Sequence, residues 1–128
     1  MKRVLVIEDD KQIAMALGTR LRAAGFTVAN AYDALGGVGQ AVKDPPDLVL
    51  LDLSMPAGGG LNVAERLRSL ASTATVPIIF ITASKDPELH ARAMSYDPHA
   101  FFEKPYDPVE LLGSIREALG MVELDAVQ

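Results

Sequence analysis

The chain has 128 residues, 49% of them hydrophobic and 23% charged, with a formal net charge of −5. This is the composition of one globular domain with a sizeable core; it excludes a disordered chain and leaves little room for a second domain. Cysteine is absent, which removes disulfides, thiolate metal sites and a cysteine nucleophile from consideration.

The N-terminus "MKRVLVIEDD" opens on two positive charges, but its apolar stretch, Val4 to Ile7, is too short for a signal-peptide core. No run approaches a membrane span, so a cytoplasmic protein without membrane contact is expected. "RVLVI" (3–7) reads as a first strand. A helix follows in which Ile13, Leu17 and Leu21 recur every four residues, with Gly25 after Ala24 as its stop. "TVANA" (27–31) is the second strand. The helix after it, "DALGGVGQAVK", carries Gly36, Gly37 and Gly39, each costing roughly 1 kcal/mol against alanine in a helix interior. It is expected to be frayed, short or partly irregular.

"DLVLLD" (47–52) and "PIIFIT" (77–82) are continuous apolar runs, as in strands covered on both faces of a parallel sheet. The first leads through the glycines 58–60, read as a mobile turn, into the helix "LNVAERLRSL". "DPEL" (86–89) opens the next helix, and "AFF" (100–102) is the fifth strand. "DPVELLGSIREAL" announces the last helix, with Asp107 as N-cap, Pro108 at the first helical position and Glu110 completing a capping-box-like opening. Leu112, Ile115, Leu119 and Val122 are expected to line one face. Arg20, Arg22, Arg66, Arg68, Arg92 and Arg116 are scattered over these helices, which argues against a nucleic-acid surface. The pattern is five β/α units with right-handed crossovers.

In open α/β sheets, ligands sit outside the carboxyl ends of the strands. The first strand ends in Glu8-Asp9-Asp10, the third in Asp52, the fourth in Thr82-Ala83-Ser84 and the fifth in Glu103-Lys104-Pro105. Taken singly, Asp9 or Asp10 reads as a helix cap, Thr82 and Ser84 as loop polars and Lys104 as a surface lysine. Asp52 differs, because it ends a buried run and needs partners. If the first and third strands are neighbours, three carboxylates converge, and like charges about 4 Å apart repel by roughly 4 kcal/mol at an effective dielectric of 20. Such a cluster asks for a cation, and an all-oxygen, incomplete donor set suits Mg²⁺. The glycines 58–60 lack the Gly-Lys-Ser/Thr pattern of a nucleotide loop.

"VLVIEDD" (4–10), "DLVLLDLSMP" (47–56), "IIFITAS" (78–84) and "FFEKPY" (101–106) together resemble the response-regulator receiver domain (CheY-like), in order and across essentially the whole chain. The resemblance implies a single doubly wound, five-stranded parallel sheet of strand order 2-1-3-4-5, a receiver over 1–122 and a short polar tail at 123–128. It implies that Asp52 is the phosphoacceptor for a sensor histidine kinase or phosphotransfer protein. Asp9 and Asp52 would bind Mg²⁺ directly together with the backbone carbonyl of Ser54, while Glu8 would act mainly through water. Asp10 falls outside the pair, as a cap. Lys104 would neutralise phosphoryl oxygens, and the bond to Pro105 is commonly cis. Thr82 would bond the phosphoryl group and Phe101 would follow it as the aromatic switch. A receiver face can also pair into a dimer on phosphorylation. The protein would be a switch for a downstream protein, not an enzyme beyond its own phosphorylation and dephosphorylation.

Three departures bear on partner recognition: Gly58 and Gly59 where the family has other residues, Asp97-Pro98 where it places Gly-Ala, and the glycine-rich second helix. The alternative is a pseudo-receiver that signals by interaction alone; the intact set Asp9, Asp52, Thr82 and Lys104 argues against it. A phosphohydrolase with an Asp-x-Asp pair would need a carboxylate at Ser54. A flavin protein would want a Ser/Thr/Gly phosphate loop where this chain has three acids. Stand-alone protein and piece of a longer regulator both stay open.

Overall fold

The computed structural model describes residues 1–121. In chain order its elements are β1 (Arg3–Ile7), α1 (Lys11–Ala23), β2 (Thr27–Ala31), α2 (Ala34–Lys43), β3 (Leu48–Asp52), a 3-10 turn (Pro56–Gly58), α3 (Gly59–Ser69), β4 (Ile78–Thr82), α4 (Pro87–Met94), β5 (Ala100–Glu103) and α5 (Pro108–Ala118). The strands form one parallel sheet in the order β2-β1-β3-β4-β5, as the resemblance implies. Among the described residues no helix is long and apolar enough to cross a membrane.

Alternate residues of the same apolar strands feed two separate cores, which is why those runs show no polar alternation. Leu5, Ile7, Val49, Leu51, Ile78 and Phe80 pack with Ala41 of α2, Leu61, Val63, Ala64 and Leu67 of α3 and Ala93 of α4. On the other face Val4, Val6, Leu48, Leu50, Ile79 and Ile81 pack with Leu17 and Leu21 of α1 and with Leu111 and Ile115 of α5. Three helices therefore cover one face and two the other.

Helix starts follow the short polar residues. Asp10 accepts from the N–H groups of Gln12 and Ile13 at 2.9 and 3.1 Å, Asp86 from Glu88 at 3.0 Å and Asp107 from Val109 at 2.8 Å. Pro87 and Pro108 occupy the first helical turns of α4 and α5. Gly25, at φ 97°, ends α1 as expected.

Four expectations need correction. Ile13 is 39% exposed, and Ala14 takes the buried place beside Leu17 and Leu21. In α5 the buried residues are Leu111 and Ile115, with Leu112 and Leu119 only partly covered; Val122 and the tail 123–128 lie outside the described residues. The second helix is regular over all of Ala34–Lys43. Two of its three glycines are a matter of space: a Cβ on Gly37 would lie 2.8 Å from Ile7 Cδ1, and one on Gly36 2.8 Å from the capping Asp33. Nor are the glycines 58–60 one loop. Ala57 and Gly58 make a left-handed turn at φ 57° and 70°, and Gly59 and Gly60 already belong to α3.

Candidate functional site

Parallel strands leave the residues after them on one edge of the sheet, and three backbone bonds extend the ladder past the strand ends. Glu8 N–H donates to the Ala31 carbonyl at 3.1 Å, Leu53 N–H to Ile81 at 2.9 Å and Lys104 N–H to Thr82 at 2.8 Å. Glu8, Asp52, Thr82 and Lys104 are thereby held in register. α3 closes down on the same edge at Gly60, where a Cβ would meet the Asp52 carbonyl oxygen at 2.6 Å and Leu53 Cα at 2.7 Å. Only glycine fits there.

Glu8 and Asp52 are 4% and 5% exposed, and Asp9 stands exposed beside them. One carboxylate oxygen from each of the three lies within 4.8 Å of the others. Lys104 reaches across β4 from the edge strand, placing Nζ 3.0 Å from Glu8 Oε1 and 3.3 Å from Asp52 Oδ2. The peptide bond from Lys104 to Pro105 is cis.

One ammonium cannot balance three carboxylates, and the ionisation of the pair shows it. Burial, and the hydrogen bond that its protonated form gives Asp52, push the Glu8 carboxyl up to about 7 against the pull of Lys104. Burial also presses Asp52 upward, but the Glu8 proton, the Ser54 N–H and Lys104 outweigh it and hold Asp52 below the ordinary value. Lys104 is held above its usual range: burial disfavours its charge and the two carboxylates more than restore it. Asp52 is thus the more readily ionised of the two carboxylates, and Glu8 the one that keeps its proton to higher pH. Oxygen donors alone, from a cluster with surplus negative charge, are the set that a hard divalent cation takes.

Hydroxyls complete the pocket. Ser54 N–H donates to Asp52 Oδ1 at 2.7 Å, while Ser54 Oγ lies 3.1 Å from Thr82 Oγ1 and accepts the Ala83 N–H at 3.1 Å. Thr82, fully buried, accepts the Ser84 N–H on Oγ1 at 3.0 Å. Phe101 lies half-buried with its ring edge-on to Phe80, centroids 6.2 Å apart. The structure thus gathers Glu8, Asp9, Asp52, Ser54, Thr82 and Lys104 into one pocket. Phe101 sits apart from it on the next strand, and Asp10 is a cap, as expected.

Two features escaped sequence reading. One is the bridge that the Ser54 hydroxyl makes to Thr82, where the resemblance gave Ser54 as a metal ligand through its carbonyl. The other is His90, whose ring lies 4.5 Å from that of Phe101. The only sequence signal for His90 was its place in the first turn of a helix whose start Asp86-Pro87 marked.

Fold and pocket together define a CheY-like α/β domain that gathers its chemistry at the carboxyl edge of the sheet. Comparison with known proteins narrows this. Residues 4–116 match the response regulator receiver domain. The chain is 35% identical over 121 residues to the DNA-binding dual master transcriptional regulator RpaA of Synechocystis sp., covering 93% of this chain and 49% of that protein. It is 34% identical over 119 residues to the response regulator ArlR of Staphylococcus aureus, covering 93% and 53%. The chain thus spans about half the length of these curated relatives. A CheY-like receiver domain protein from Methanospirillum hungatei superposes with a TM-score of 0.87 at 26% identity over 94% of each chain. Chemotaxis protein CheY4 of Vibrio cholerae gives 0.85 at 25% identity, over 93% of this chain and 99% of that one. The chain belongs to the response-regulator receiver family, and its role is that of a receiver in two-component signalling.

Proposed function

We propose that Asp52 accepts a phosphoryl group from the phosphohistidine of a sensor histidine kinase or phosphotransfer protein, and that the resulting aspartyl phosphate switches the surface this domain offers a downstream protein. The observation that carries the reading is the state of Asp52: buried, ionised, held at Oδ1 by the Ser54 N–H and at Oδ2 by Lys104. A carboxylate so held is an oriented nucleophile that needs no general base.

In the transfer, an Asp52 carboxylate oxygen forms the O–P bond while the P–N bond of phosphohistidine breaks. The electron pair leaves with the imidazole, which takes up a proton. Lys104 meets the charge on the phosphoryl oxygens, and the Thr82 hydroxyl, exchanging its Ser54 partner for the new group, donates to another. Asp9, Asp52 and the Ser54 carbonyl would hold Mg²⁺, with Glu8 acting through its water. Bound there, Mg²⁺ would supply charge neutralisation and geometry for in-line transfer. The acyl phosphate hydrolyses in water, so the mark is temporary and self-erasing. The same reading places the protein in the cytoplasm, where ATP-fed kinases work. It takes residues 1–122 as the receiver, with pairing of two phosphorylated copies as one form its output can take.

Acetyl phosphate tests this. With Mg²⁺ the intact mass should rise by one phosphate; without Mg²⁺, or in Asp52→Asn, it should not. No modification by small donor or cognate kinase would overturn the reading in favour of an interaction module of the same fold.

A further inference from the structure

Between the acid pocket and Phe101 runs an unbroken chain of contacts whose last member has no part in the chemistry above. Thr82 Oγ1 accepts from Ser84 N–H at 3.0 Å. Ser84 in turn shapes the turn into α4, its hydroxyl accepting the Asp86 N–H at 3.1 Å. From the first turn of α4 the His90 ring reaches back, placing Nε2 2.8 Å from the Ser84 carbonyl. That carbonyl can only accept, so Nε2 is the donor. The ring lies against Phe101, centroids 4.5 Å apart and planes inclined at 51°. On the ring's other nitrogen side Nδ1 is 3.6 Å from Glu103 Oε1, and Glu103 is also held by Lys85 at 3.2 Å.

We infer that His90 is a positioning residue that joins the residues 83–86, which move with Thr82, to the ring of Phe101. This rests on the proposed role of Asp52. Each link is a short contact to a group with few alternatives. If Thr82 turns from Ser54 toward a phosphoryl group on Asp52, its Oγ1 carries the Ser84 N–H with it and the Ser84 carbonyl shifts. His90 loses or follows that acceptor, and in either case its ring cannot keep the same place against Phe101. Lys85 also ties this turn to β5 through Glu103, but among the described contacts from it only His90 reaches the ring of Phe101 itself, so without His90 the ring loses its direct link to Ser84. Coupling of this kind is reciprocal: holding Phe101 in place also resists the movement of Thr82.

Fluorophenylalanine labelling of the full chain, with Phe101→Leu to assign the Phe101 signal, reads one end of the chain of contacts; amide resonances of Ala83 and Ser84 read the other. The probe is beryllofluoride with Mg²⁺, a phosphoryl mimic. In the unsubstituted protein both ends should shift together along one titration. In His90→Ala the amides of Ala83 and Ser84 should still shift, while the Phe101 signal loses most of its response. His90→Gln, which keeps an amide donor for Ser84 without a ring, and His90→Phe, which keeps a ring without a donor, should each restore less than the full response. All four proteins should melt alike, since α4 holds its core through Ala93. A Phe101 response in His90→Ala equal to that of the unsubstituted protein would overturn the inference and leave the acceptor role of Asp52 standing. An unsubstituted protein whose Ala83 and Ser84 amides ignore beryllofluoride would overturn both.

Discussion

Glu8 and Asp52 are the same functional group at the same depth, yet they titrate in opposite directions. Burial presses both upward, but Asp52 also receives a backbone N–H and the shared proton, while Glu8 gives that proton. The consequence for stability has a definite sign. The folded Glu8 carboxyl titrates near 7 and the unfolded one near 4.5, so between those values the folded state binds more protons and stability falls as pH rises. Asp52 contributes in the other direction, its stabilisation being lost as pH falls below the ordinary carboxylate range. In metal-free buffer, Glu8→Gln should therefore flatten the decline in melting temperature from pH 4.5 to about 7 and be the more stable protein at pH 7. A variant with the slope of the parent would show that Glu8 is not the group whose proton the folded pocket retains.

At the scale of elements, identical residues have unlike roles. Gly37 and Gly39 both lie inside α2, but a Cβ on Gly37 would press on Ile7 at 2.8, 3.0 and 3.2 Å, while one on Gly39 would meet nothing within 4 Å. Gly39→Ala should stabilise the protein by up to about 1 kcal/mol through helix propensity. Gly37→Ala should destabilise by about 1–2 kcal/mol as overpacking exceeds the same gain. Urea denaturation of the two variants checks both signs, and equal shifts would contradict this account of the helix. The Asp97-Pro98 departure also has a local explanation. Asp97 adopts φ 54°, and the Arg68 guanidinium holds that turn by donating to the carbonyls of Tyr96 and Asp97 at 2.9 and 3.3 Å, as well as to Ala74 and Val76 at 3.1 and 2.7 Å. An aspartate tolerates that backbone where most side chains would not, and an arginine from α3 fastens it.

For the whole molecule, what the sequence made legible was what is periodic or ends a strand. The buried runs foretold the parallel sheet, because residues covered on both faces have no reason to alternate, and the acids, threonine and lysine after those runs foretold the pocket. What stayed hidden depends on distances between elements far apart in the chain. Gly37 looks like a helix breaker until Ile7 is seen above it. Ser54 looks like a loop serine until its hydroxyl is seen on Thr82. His90 looks like any helix-surface histidine until Phe101 is placed beneath it. Ile13 failed for a simpler reason: a spacing of four fits its helix face, but the face drifts, and Ala14 lies nearer its centre.

On the proposed function, this sheet edge puts a phosphoryl group on one carboxylate out of three. Phosphorylation with acetyl phosphate and Mg²⁺, followed by borohydride, reduces an acyl phosphate to the alcohol and marks the acceptor permanently; peptide mass analysis then locates it. Homoserine at position 52 alone is the predicted result. Reduction at Asp9, at Asp10 or at a residue outside the pocket, with Asp52 untouched, would contradict the account.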